Sequence, residues 1–414
     1  EYGFRGNARN LDLNRDFIKM DSRNAKIFSK IFHFLDPDVL VDTHTSNGAD
    51  YQYTMTLLHT QMDKLNSELA GLLKTKMLPD LYKDMEKKGW PMVPYVNTMG
   101  PTPESGIYDY LETPRYCTGY GALFNTIGFT TETHMWKPFS DRVESTFEFL
   151  KTIRTHINKN HQAILETRAK AFKQDQENTT FDLSWTLDTS KYDLLNFKGY
   201  EAESYVSTVT GLETYKYNRD RPWTKEIKYF NRYSATTNAS KPDFYIVPQA
   251  WGEVVSRLAI NGVQLTQIQK DTSIQVGAYY ILDHKTGNRP YEGHYLHKNI
   301  QVEEREALIN FSKGDYLIST DQPKVRLGTA RLRKLGVQKF HDRRGDAEGA
   351  EAFVEKHRLA TQQSLAFVFA IELPLFARSG QRPVFQHGVE VGADIGQTVV
   401  VDVPRGEGLR PFGL

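Results

Sequence analysis

The stretch 21–34 places Ile27, Ile31 and Phe34 at helical spacing, and it runs almost directly into Asp38-Val39-Leu40-Val41-Asp42, an apolar run bounded by Pro37 and by polar residues. The first pattern predicts a helix that packs on a sheet, and the second a short buried strand. A helix feeding a buried strand points to α/β architecture, so the first part of the chain is expected to build a sheet with helices laid on it.

Further along, Leu65, Leu69, Leu72 and Leu73 share one face of a helix predicted over 60–90, which ends near Gly89 and Pro91. A long polar loop follows. The pattern then predicts a short helix over 118–125, a strand over 127–132 and a long helix over 140–167, and the polar run 174–180 has the composition of a linker. From about residue 181 the texture changes to short β-branched and aromatic runs at 244–247, 274–280 and 315–319, with a turn predicted at 284–288. We therefore expect an α/β domain over 1–175 and a β-rich accessory domain over 181–322.

The remainder reads differently. All 22 tyrosines precede residue 323, and the segment 323–414 holds neither tyrosine nor asparagine while being rich in Arg, Gly and Val. Even usage would put roughly five tyrosines there. That segment is expected to be an anomalous tail, foreign to the rest of the chain through fusion, misassembly or a shifted reading frame.

Composition removes several classes of partner. With 52 basic and 51 acidic side chains and a net charge of +1, there is no electrostatic reason to expect nucleic acid or an anionic membrane surface. No run approaches the roughly 18–20 apolar residues that span a bilayer. The single cysteine, Cys117, excludes an intramolecular disulfide and a multi-thiolate metal site, so a metal here has to use His and carboxylates. The opening residues read as the interior of a domain, and Glu1 does not look like a natural start.

Three clusters carry chemistry. In Asn10-Leu11-Asp12-Leu13-Asn14-Arg15-Asp16-Phe17, the Arg15 guanidinium is a planar group that grips a carboxylate through two hydrogen bonds. In Val39-Leu40-Val41-Asp42-Thr43-His44-Thr45-Ser46, an apolar strand delivers His44 at its C-terminal end, where open α/β sheets bind ligands and where a neutral imidazole is able to hold zinc. In Thr130-Thr131-Glu132-Thr133-His134-Met135, Glu132 closes a short strand, a place from which a carboxylate is able to act as general base.

The clusters, in this order, resemble the DLNR-type, His and late-strand Glu motifs of the M14 zinc metallocarboxypeptidases, over about residues 1–165. The resemblance implies a mixed-sheet carboxypeptidase-like domain, one zinc ion, and hydrolysis of a C-terminal peptide bond, or of a peptidoglycan-type amide, in a peptide substrate with a free C-terminal carboxylate. Asn14 and Arg15 match the pair that holds that carboxylate. Arg5, with Arg9 as the alternative, matches the Arg that polarises the scissile carbonyl, and Tyr116, with Tyr110 in reserve, matches the mobile tyrosine. His44 matches the third zinc ligand. Glu132 matches the general base that acts on zinc-bound water and passes the proton to the leaving amine, with His134 supporting it. A secreted or periplasmic location is implied by the family alone.

The family takes its other two zinc ligands from an HxxE segment well ahead of the DLNR-type motif. None precedes it here, so the resemblance implies an N-terminally truncated chain, with those ligands upstream of residue 1, that is inactive by itself. His387-Gly388-Val389-Glu390 is read as a chance match. Two other readings stand beside the peptidase: a zinc deacylase of small N-acyl amino acids, and a metal-free protein that binds peptide or glycan.

Overall fold

The computed structural model describes residues 5–292 and 294–322, with the backbone of two further strands at 369–371 and 398–401. In chain order the elements are α1 (Arg23–Leu35), β1 (Val39–Ser46), β2 (Met55–His59), α2 (Ser67–Leu72), α3 (Leu78–Lys87), β3 (Met92–Pro94), β4 (Asn97–Thr98), β5 (Ile107–Tyr108), α4 (Cys117–Gly121), β6 (Ile127–His134) and α5 (Phe139–Glu177). Strands dominate thereafter: β7 (Thr180–Leu187), β8 (Asp193–Val206), β9 (Glu213–Phe230), β10 (Tyr233–Ser240), β11 (Phe244–Val247), then α6 (Gly252–Ile260). The last are β12 (Thr266–Gln267), β13 (Thr272–Thr286), β14 (His297–Phe311), β15 (Tyr316–Ser319), β16 (Phe369–Ile371) and β17 (Thr398–Val401). The chain is thus α/β with several small sheets. The described residues form two compact units, one drawn from 34–173, 184–236 and β17, the other from 5–33, 174–183, 237–322 and β16.

The first unit holds a five-stranded sheet in the order β17-β1-β6-β2-β3. It is mixed: β1 runs parallel to β6 and β2 parallel to β3, whereas β2 and β17 are antiparallel to their neighbours β6 and β1. Side chains alternate across a strand. Val39 and Val41 of β1, Ile127 and Phe129 of β6, and Met55 and Leu57 of β2 therefore share one face, which is buried under Leu69, Leu81 and Met85 of α2 and α3 and Ile153, Ile157 and Ile164 of α5. The intervening residues Leu40, Asp42 and His44 fall on the opposite face. There Gly128 of β6 lets α4 come close, since a Cβ on it would lie 2.8 Å from Thr118 Cβ.

Four local expectations need correction. Ile27, Ile31 and Phe34, read as the packing face of α1, are exposed, and the helix buries Ala25, Phe28 and Phe32 instead. The helix predicted over 60–90 is broken into a 3₁₀ turn at Met62–Lys64, α2, a π-helical turn at Leu73–Met77 and α3. Pro79 has no N–H for the carbonyl of Thr75, and the widened turn just before α3 accommodates it. The run 174–180 is not a linker along most of its length, because α5 continues for 39 residues to Glu177. Its buried stripe runs on through Ile164, Arg168, Ala171 and Asp175 at helical spacing, which the polar composition concealed. The turn predicted at 284–288 lies too early, since β13 reaches Thr286 by way of two register shifts between Ile281 and Lys285.

The same unit carries a second sheet, β4-β5-β9-β8, built on the long β8–β9 hairpin, with its own core of Tyr51, Tyr53, Ile107, Phe197 and Ile227. The other unit is organised by the six-stranded sheet β12-β15-β11-β16-β13-β14, where Ile246, Val276, Ala278 and Phe311 make a small core. A two-stranded sheet joins β7 and β10. The HxxE at 387–390 and nearly all of the expected tail lie outside the described residues.

Candidate functional site

Two strands with apolar beginnings and polar ends set up the site. The parallel pairing aligns Val39 with Ile127, Leu40 with Gly128 and Val41 with Phe129, so the polar ends come into step as well, with Asp42 beside Thr130 and His44 beside Glu132. His44 Nδ1 lies 3.3 Å from Glu132 Oε1, although 88 residues separate the two in sequence. On the other side of the ring, Nε2 lies 3.0 Å from Asp42 Oδ2. The structure thus brings together the two residues singled out for metal binding and for proton transfer, and adds a carboxylate that sequence reasoning missed. The signal for Asp42 was present, because a residue two places before His44 on a strand shares its face.

Electrostatics follow from this clamp. Burial works to lower the pKa of His44, but the bonded carboxylates of Asp42 and Glu132 outweigh it and raise the value to about 10. Behind the ring the environment is dry. Glu112, a buried residue, has its pKa raised by burial to about 7 despite the opposing charge of Lys64, and the charge of Asp42 adds to the rise. The Lys64 ammonium donates to the Glu112 carbonyl, while Glu112 Oε2 is buried without a hydrogen-bond partner. The Cys117 thiol, in α4, is pushed well up by burial and by the charges of Asp42 and Glu112, and it bonds to Asp42. No spacing in the sequence pointed to Glu112 or Lys64, which only the packing of the 109–116 loop brings here.

The other predicted residues divide between the two units. Tyr116 and its reserve Tyr110, in the unit that holds His44, touch each other, with the Tyr110 hydroxyl donating to the Tyr116 hydroxyl at 2.7 Å and the rings edge to face. His134 is fully buried in β6 with its ring centroid 4.9 Å from that of Tyr51 in an edge-to-face arrangement, and burial lowers its pKa.

Arg5, Asn14 and Arg15 belong to the other unit. There Asp12 caps the short 3₁₀ turn Leu13–Arg15 by accepting from the Asn14 N–H, and its second oxygen accepts from Arg5 Nε at 2.5 Å. Arg15 Nη1 donates to the Asn14 carbonyl at 2.9 Å. With the Asn14 amide turned over, its oxygen also accepts from Arg15 and from Arg5. Arg5 and Arg15 line an open cavity of about 420 Å³ together with Gly6, Asn10, Asp12, Tyr291 and Glu292, and Arg9 does not line it. The Asp12 N–H donates to Glu292 at 2.8 Å, a contact across 280 residues that no motif announced.

Catalytic zinc normally takes three protein ligands and keeps one position open. Near His44 the donor set has suitable chemistry, an imidazole and carboxylates, but both ring nitrogens are engaged, and among the described residues no group of three His, Cys, Asp or Glu side chains is placed to hold a metal. These residues do not fit zinc as a complete site.

No family model matches the chain, and no solved structure matches it. Curated fungal proteins do. The chain is 22% identical over 348 residues to carboxypeptidase 2 of Trichophyton equinum, which covers 80% of this chain and 62% of the relative. It is 21% identical over 343 residues to a probable carboxypeptidase 2 of Trichophyton verrucosum, covering 78% and 62%. With a probable carboxypeptidase 2 of Arthroderma benhamiae the figures are 22% over 340 residues, 78% and 61%. The chain therefore spans about three fifths of the length of these relatives. Among the described residues, no helix is long and apolar enough to cross a membrane.

Proposed function

We propose that this chain is part of a carboxypeptidase-type peptide hydrolase of the M14 kind, in which Glu132 is the general base and His44 a zinc ligand. The observation that carries the reading is the 3.3 Å approach of His44 and Glu132 across the parallel β1–β6 pair. The likeness to proteins named carboxypeptidase 2 points the same way. Zinc belongs to the proposal with two further ligands outside the described residues, upstream of residue 1 by the family pattern.

In this reading Glu132 accepts a proton from the attacking water and returns it to the leaving amine. By the family pattern Asn14 and Arg15 match the pair that binds the free C-terminal carboxylate of a peptide, Arg5 matches the group that steadies negative charge on the scissile carbonyl oxygen, and Tyr116 matches the residue that covers the substrate.

The test uses the chain extended upstream of residue 1, assayed on peptides with free and with amidated C-termini. Cleavage restricted to free C-termini, reduced by about 100-fold or more in Glu132→Gln with zinc content unchanged, is the expected result. Wild-type turnover in Glu132→Gln overturns the assignment of the base. Cleavage of N-acyl amino acids in place of peptides overturns the substrate.

A further inference from the structure

Asp42 is one of the most deeply buried carboxylates near the site, at 2% exposure, and a carboxylate so far from water costs several kcal/mol unless it is paired. It sits two residues before His44 on β1, on the same face of the strand, and its Oδ2 lies 3.0 Å from His44 Nε2. On the opposite edge of the ring, Glu132 is farther, at 3.3 Å, and more exposed, with 11% of its side chain open to solvent against 3% for Asp42. The Cys117 thiol bonds to Asp42 from α4, and the glycine at 128 allows that helix to close over this face, so the carboxylate is itself held. The shorter contact, made by the more enclosed group, sets the orientation of the ring.

We propose that Asp42 is a positioning residue, whose carboxylate accepts the Nε2–H of His44 and fixes the imidazole so that Nδ1 is the nitrogen turned toward Glu132. A hydrogen bond to one ring nitrogen holds the ring plane and sets where the other nitrogen points. Nδ1 is then the nitrogen presented to whatever Glu132 acts on. The proposal rests on the hydrolase reading only for its consequence in turnover, because the geometry of the ring does not depend on any reaction.

The experiment labels histidine with ¹⁵N in the 414-residue chain and follows the His44 ring N–H resonances, assigned by their loss in His44→Gln. In the wild type, a slowly exchanging proton on Nε2 is expected. Asp42→Asn, which keeps the size of the side chain, should speed its exchange by at least about tenfold, since a bond to a charged acceptor is replaced by one to a neutral amide. Glu132→Gln should leave it protected. A wild-type ring protonated on Nδ1 alone, unchanged exchange in Asp42→Asn, or loss of protection in Glu132→Gln overturns the proposal. Should Asp42→Asn fail to fold, the wild-type and Glu132→Gln spectra still decide. A protected Nε2–H in a protein whose upstream-extended form cleaves no peptide sinks the hydrolase reading and leaves this one standing.

Discussion

Glu112 is buried, with one carboxylate oxygen unpartnered and the Lys64 ammonium bound to the Glu112 backbone carbonyl. Burial raises its pKa from 4.5 to about 7, so the folded protein retains a proton that the unfolded chain gives up earlier. A raised folded-state pKa contributes stability that is complete below the unfolded value and is lost as pH rises through the folded one. For Glu112 that window runs from pH 4.5 to about 7. Urea unfolding across it should show Glu112→Gln losing less stability than the wild type as pH rises. Parallel curves for the two proteins would place Glu112 in contact with water.

At the scale of elements, the site depends on how tightly α4 is pressed against its surroundings. A Cβ on Gly119 would meet the Thr113 carbonyl oxygen at 2.2 Å and the Glu112 carbonyl oxygen at 2.7 Å, backbone atoms that cannot swing aside. Gly119→Ala should therefore destabilise by about 1–3 kcal/mol in urea unfolding, through forced separation of the helix from the 109–116 loop. A change within a few tenths of a kcal/mol would mean that the loop yields freely. On α5 the anchor is Arg168, almost fully buried, which pairs with Asp36 and Asp38 at 2.9 Å each and donates to the carbonyls of Phe124 and Asn125. These contacts clamp the entry of β1 and the turn before β6 onto one helix. Arg168→Ala leaves Asp38 buried without its cation, and a loss of about 3–5 kcal/mol is expected from the same measurement.

For the whole molecule, the decisive quantity is metal content. His44 has both nitrogens engaged by carboxylates, and no described group of three ligands surrounds it. If, as in the proposed reading, two zinc ligands lie upstream of residue 1, the purified 414-residue chain should carry zinc well below one ion per molecule by elemental analysis and show no peptidase activity. Near-stoichiometric zinc that is lost in His44→Ala would place the remaining ligands within the chain and end the reading in which they lie upstream. Extension upstream of residue 1 should raise zinc content and activity together.

The sequence alone determined the α/β character and the existence of β1, β6, α1 and α5, because amphipathic or fully apolar runs favour regular elements, but on α1 it chose the wrong face, since Phe28 and Phe32 are buried and Ile27, Ile31 and Phe34 are exposed. It determined the candidates His44 and Glu132 by motif, and the family pattern supplied roles for them. Length and partnership were beyond it. The polar ends of β1 and β6 look like loop in isolation, and they are strand because the parallel pairing of the apolar beginnings carries the register onward to Ser46 and His134. The same register, and nothing local, puts His44 against Glu132. Tertiary structure also decided the direction in which the pKa values of His44 and Glu112 move, since a pKa depends on burial and on neighbours brought from distant segments. Asp42 shows the division within a single residue. Strand alternation made its side of the sheet legible, but only the closed packing of α4 over that face made it a buried carboxylate with His44 to hold.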